Sequence, residues 1–180
     1  LASSTGWDGQ PFGPCLFRTT TPDRPESWRA FDGKSFSIRF GDPYREETKP
    51  ARCEVIGPFG LPVGVVVRHR GSGAWIAVFE AKADGARFAR SGFYSTSSAD
   101  LMRWDEPRLL LAGKILSDDP CGAGELISYP SLIDRNAKGR NFDDVGDQAE
   151  LYFTRLKVDG CQVTSNRDLL RSRLAIKVFK

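Results

Sequence analysis

Metal-ligand spacing, long apolar runs and helical periodicity are what this sequence has least of. It holds one histidine and one methionine in 180 residues, and none of its four cysteines stands in a CxxC pair. A structural zinc site draws its ligands from closely spaced Cys and His, so no metal centre is expected. No apolar run approaches the ~20 residues needed to cross a bilayer, and no membrane partner is expected. No phosphate-cradling glycine loop or dinucleotide fingerprint occurs, and Gly71-Ser72-Gly73 lacks the G-x-S-x-G nucleophile elbow. An excess of one charge is missing too: 26 Lys and Arg face 23 Asp and Glu, for a net charge of +3. The basic residues are scattered rather than gathered on one stripe, which argues against a nucleic-acid partner. The densest basic stretch, RDLLRSRLAIKVFK, partly alternates polar with apolar residues and reads as a half-exposed strand. Helical periodicity is confined to SSADLMRW.

What is present is strand. Eighteen glycines and eleven prolines break the chain into short segments. Between them lie CLFRTT, SFSIRF, VGVVVRHR, AWIAVFEA, GFYSTS, RLLLAG, YPSLID, AELYFTRL and RLAIKVF, rich in β-branched and aromatic residues. VVVRHRGSGAWIAVFEA predicts a hairpin, because Arg-Gly-Ser-Gly can supply positive φ at a tight turn. YPSLIDRNAKGRNFDDVGDQAELYFTRL predicts a second one with a long polar tip. Cys15, Cys53, Cys121 and Cys161 fit two disulfides in a secreted protein, and almost as well four buried thiols in a cytosolic one. The reading adopted is secreted.

The segments also repeat. Phe17 to Trp28 and Tyr94 to Trp104 each run from a strand ending in Ser or Thr, through a turn with Asp, to Trp and a further strand. The two tryptophans lie 76 residues apart, with the first hairpin between them. Units of four antiparallel strands with Trp at a fixed place are the signature of β-propeller blades, and a generic β-sandwich is the alternative. The expected fold is therefore all-β, an incomplete propeller with about two and a half blades. Residues 1–47 would hold the outer strands of one blade and a linker, 48–116 a complete blade, and 117–180 a last blade lacking one strand. The chain begins at Leu1 and its single methionine is Met102, so a fragment of a longer chain is expected. Open sheet edges would then favour self-association. In such a blade Trp28, Trp104 and Asp100 pack and shape the scaffold.

The strings YPSLID, NFDD, ELYFTRL and RDLLR, following STSSADLMRWDEPRLLL, resemble the C-terminal blades of five-bladed propellers of the arabinanase, β-xylosidase and invertase type. The resemblance runs from about Gly13 onward and is more specific for scaffold than for activity. It implies acid/base hydrolysis of glycosidic bonds in an oligo- or polysaccharide, with no redox cofactor. Some members of the group hold a structural calcium ion in the channel. The chemistry needs two flanking carboxylates, one to protonate the leaving oxygen and one to attack or activate water. The family's base or nucleophile Asp lies in a first blade that has no counterpart here, which leaves a non-catalytic carbohydrate-binding or structural propeller as the alternative. By the resemblance, Asp42 in FGDPY would be the orienting carboxylate, although Gly41 stands where the family has Arg. Glu54 in RCEVIG and Glu125 in GAGELISYP are the candidates for general acid. Tyr44 and Tyr129 would offer aromatic faces to sugar, and Arg155 would reach the channel from the end of an inner strand. The structural alternatives are ordinary: a turn Asp before Pro, solvated loop carboxylates, packing aromatics and an ion-paired arginine.

Overall fold

The computed structural model describes residues 1–4, 6, 9–39, 44 and 51–177. The chain is all-β and divides into two compact units, Leu1–Gly57 and Pro58–Lys180.

In the first unit β1 (Ala2–Ser4) and β2 (Gly13–Cys15) pair antiparallel. A second sheet takes the order β3 (Phe17–Arg18), β4 (Arg29–Phe31), β5 (Phe36–Ile38), with a 3-10 turn over Pro25–Ser27 before β4. Two strands were expected here, CLFRTT and SFSIRF, and three are found. The extra one begins directly after Trp28. Its return is set by Asp32, whose carboxylate accepts the backbone N–H groups of Lys34 and Ser35 at 2.8 and 2.6 Å. Gly33 supplies φ +94° at that turn, so β5 folds back on β4. The core of the unit is small: buried Cys15, Ala30 and Cys53, with Phe17 and Ile38 against them. A disulfide joins Cys15 to Cys53. So little apolar burial gives a short stretch of chain limited stability alone, and the covalent link compensates for it.

The second unit contains the expected antiparallel meander. Strands β6 (Val63–His69), β7 (Trp75–Ala81), β8 (Gly92–Ser98) and β9 (Arg108–Ala112) pair in sequence, all antiparallel. The β6–β7 turn uses Gly73 at φ +74°, as the Arg-Gly-Ser-Gly signal predicts. A three-stranded sheet follows from β10 (Glu125–Ile133), β12 (Gln148–Asp159) and β13 (Gln162–Ala175), with β12 in the centre. The long tip of its hairpin carries β11 (Asp144–Val145), which pairs parallel to β6 and makes a fifth strand of the meander sheet.

Strand periodicity sorts the side chains of β7 onto two faces. Ile76 and Val78 meet Val67, Phe93, Leu132, Leu151 and Phe153 in the core between the two sheets, where β10 lies against β6 and β7. Ala77, Phe79 and Ala81 face the other way, under Phe59, Phe88, Tyr94 and Trp104. That second layer is rich in aromatic rings: Phe59 stands edge-on to Phe79 at 5.1 Å and to Trp104 at 5.2 Å.

SSADLMRW forms no helix. Ser98 Oγ accepts the backbone N–H groups of Asp100 and Leu101, and Asp100 Oδ1 accepts those of Met102 and Arg103. Side chains that capture four successive amides replace the helical ladder with a turn, and Leu101 sits at φ +65° within it. Among the described residues, no helix is long and apolar enough to cross a membrane.

Candidate functional site

The candidates fall in different places. Asp42 lies outside the described residues. Tyr44 is almost fully exposed in the first unit. Glu54 is exposed in the same unit; its backbone N–H donates to the Phe31 carbonyl at 2.8 Å, next to the buried Cys15–Cys53 bridge. The remaining three, Glu125, Tyr129 and Arg155, are brought together on the three-stranded sheet.

Glu125 opens β10 opposite Lys157, and Ile127 stands opposite Arg155. Arg155 is in turn opposite Asp168 on β13. One end of the sheet therefore carries a row of alternating charge. Arg155 Nε lies 3.6 Å from Glu125, Lys157 Nζ lies 3.6 Å from the same carboxylate oxygen, and Arg155 donates to Asp168 at 2.8 Å. The Asp168 hydrogen bond, against a smaller opposing effect of burial, raises the Arg155 guanidinium above its ordinary value. The exposed Cys121–Cys161 disulfide ties the segment before Glu125 to the β12–β13 turn, so this end of the sheet is covalently held. Glu125 is half-exposed between Arg155 and Lys157.

Tyr129 is placed by a β-bulge. Ser128 is opposite Thr154 and Ser131 opposite Tyr152, so two residues of β10, Tyr129 and Pro130, face Phe153 alone. Tyr129 takes φ +58°, a conformation that a bulky residue adopts only when its surroundings impose it. Two features impose it. Glu80, near the end of β7, accepts the Tyr129 backbone N–H at 2.8 Å and the Ser128 hydroxyl at 2.7 Å on one oxygen. Gly64 on β6 lets Pro130 come close; a Cβ there would lie 2.8 Å from the Pro130 carbonyl oxygen. The Tyr129 side chain is left 56% exposed on this rigid seat.

Glu80 and Ser128, which seat Tyr129, are not among the residues that the motifs single out. The signal was present: in AVFEA, Glu80 is in phase with Ile76 and Val78, so a carboxylate stands at a core-facing position. A charge there requires partners.

An open groove of about 900 Å³ lies at the other end of these strands. Ile76, Val78, Leu132 and Leu174 line it, with Asp105 and Lys177 among its polar residues. None of the five described sequence candidates lines it. Among the described residues, no group of His, Cys, Asp or Glu is arranged to hold a metal ion.

No protein-family profile, curated protein or solved structure matches the chain.

Proposed function

We propose that the chain supplies later blades of a five-bladed β-propeller of the arabinanase, β-xylosidase and invertase type, and that its role is recognition of an oligo- or polysaccharide. The observation that carries this reading is Tyr129, an exposed aromatic ring at positive φ, pinned by Glu80 across a sheet interface. Backbone strain of this kind persists where a side chain must be presented in one orientation. An aromatic face suits a pyranose or furanose ring, whose C–H groups meet the negative face of the π system. Glu125, Arg155 and Lys157 on the same sheet offer the donors and acceptors that hydroxyl groups need. The four-strand meander, with Trp104 packed beyond its third strand, supports the propeller geometry. The two disulfides support secretion, since oxidising compartments maintain such bridges.

The test is titration with arabino-, xylo- and fructo-oligosaccharides, following protein fluorescence and released reducing ends in the same samples. Saturable binding, weakened at least ~10-fold by Tyr129→Ala, is the expected result, on the scale of a lost stacking contact. No binding across the panel sinks the proposal. Release of reducing ends that disappears in Glu125→Gln would replace recognition by hydrolysis.

A further inference from the structure

The β6–β7 turn brings a hydroxyl, an imidazole and a carboxylate into one relay, away from the sugar-facing residues. His69, the sole histidine, ends β6 and is 4% exposed. Its Nδ1 lies 2.9 Å from Ser72 Oγ, and its Nε2 lies 3.0 Å from Asp147 Oδ1. The proton positions follow from the other bonds. The Ser72 backbone N–H donates to Nδ1 at 3.2 Å, so Nδ1 is an acceptor and Nε2 carries the hydrogen directed at Asp147. The Ala74 backbone N–H donates to Ser72 Oγ at 3.2 Å, which leaves the Ser72 hydroxyl proton for Nδ1.

The order is that of an activated nucleophile: a hydroxyl hydrogen-bonded to a base, and the base oriented by a carboxylate. The turn itself is rigid. His69 N–H donates to Ala74 O at 2.7 Å and Gly73 N–H to His69 O at 2.8 Å, which closes the loop around Ser72. Ser72 is exposed at its tip and Asp147 is 82% exposed at the side chain, while the imidazole between them is buried. Gly71 keeps the approach clear, since a Cβ there would lie 3.1 Å from His69 Cε1.

We propose that Ser72, His69 and Asp147 form an acyl-transfer site that hydrolyses small, solvent-accessible esters such as O-acetyl groups. Ser72 Oγ attacks the ester carbonyl as its proton passes to His69 Nδ1. The C–O bond to the alcohol then breaks, and the alcohol leaves with that proton. Water adds to the acyl-Ser72 carbonyl by the same route, giving its proton to Nδ1, and the Ser72–acyl bond breaks. Ser72 recovers the proton and the carboxylic acid departs. No co-reactant besides water is needed. Asp147 is a positioning residue, holding the tautomer in which Nδ1 is unprotonated and faces Ser72. A short acyl group is the fitting substrate because the nucleophile stands on a hairpin tip.

The experiment treats the purified chain with a fluorophosphonate probe, maps the adduct by mass spectrometry, and follows p-nitrophenyl acetate hydrolysis. One adduct per chain on Ser72 is expected, with hydrolysis at least ~100-fold above the Ser72→Ala background, the lower range of general-base assistance. Asp147→Asn is expected to slow labelling at least ~10-fold. Both substitutions are at exposed positions, so a melting temperature near that of the parent shows that folding is intact. A folded protein with no adduct on Ser72, or hydrolysis unchanged in Ser72→Ala, overturns the proposal and leaves the three groups as a turn-stabilising cluster.

Discussion

Glu80 on β7 reaches out of its own sheet and accepts the backbone N–H of Tyr129, on β10, at 2.8 Å. The same oxygen takes the Ser128 hydroxyl, which is 2% exposed. Removing the carboxylate leaves a buried hydroxyl and a backbone amide without their acceptor. Glu80→Ala is expected to cost about 1–3 kcal/mol of stability. Glu80→Gln, which keeps a side-chain carbonyl in place, is expected to cost less than half of that. Urea denaturation of the two variants checks this. Equal losses would mean that charge, rather than hydrogen-bond acceptance, holds the bulge.

The two tryptophans of the repeated phrase are expected to differ in energy despite their matching sequence context. Trp104 donates its Nε1–H to the Leu101 carbonyl at 2.9 Å and packs edge-on to Phe59. Trp28 donates to the Pro22 carbonyl at a longer 3.4 Å and is 38% exposed. Trp104→Ala is expected to destabilise by about 3 kcal/mol, toward the lower end for a large aromatic removed from a core. Trp28→Ala is expected to cost no more than about 1 kcal/mol. Similar losses in chemical denaturation would show that the repeat is energetic as well as sequential.

That asymmetry shows what the sequence discloses and what it does not. The Trp–turn–strand phrase identifies where strands end, and β6 to β9 pair as the alternating pattern and the Gly73 turn predict. Whether the indole is then covered depends on aromatic residues distant in the chain, such as Phe59, and spacing holds no information about them. The same limit hid β4, which rests on the Asp32 turn, and the bulge at Tyr129, which rests on Glu80 and Gly64. SSADLMRW has helical spacing of its apolar positions, but Ser98 and Asp100 decide the backbone there. In the candidate site, the resemblance implies Glu125 as a candidate general acid and Arg155 at the end of an inner strand, and nothing in the sequence sets the two side by side. Their ion pairing with Lys157 and Asp168 needed the registers of β10 on β12 and of β12 on β13.

The Cys121–Cys161 bridge closes a segment in which the cysteines lie 40 positions apart, and both residues are exposed. Replacing both by serine therefore removes the cross-link with little loss of packing. Loop-closure entropy for that length amounts to about 4 kcal/mol, and measured effects commonly fall somewhat below it. A loss of 2–4 kcal/mol in guanidinium denaturation is expected for Cys121→Ser with Cys161→Ser. No change in midpoint would mean that the ends of β12 and β13 hold the segment without the bond.

Acid should unfold the protein through carboxylates that the fold keeps ionised. Asp134, 3% exposed, is the clearest case. Burial alone would raise its pKa, but the Asn136 and Gly146 backbone N–H groups and the Arg70 guanidinium more than offset that and hold it below the ordinary range. Asp100 is lowered as well, chiefly by the Arg103 backbone N–H. A carboxylate with a lower pKa folded than unfolded binds fewer protons in the native state across the interval between the two values. Stability therefore rises with pH through that interval, is fully present above the unfolded value of about 3.9, and is lost as pH falls toward the folded values. The denaturation midpoint is expected to be flat from neutrality to about pH 5 on the carboxylate contribution, then to fall steeply. Asp134→Asn should cost about 1–3 kcal/mol at neutral pH, through the lost charge-assisted bonds to half-exposed Arg70 and the backbone. It should also flatten the acid limb. A variant whose acid limb parallels the parent's would show that Asp134 does not supply that slope.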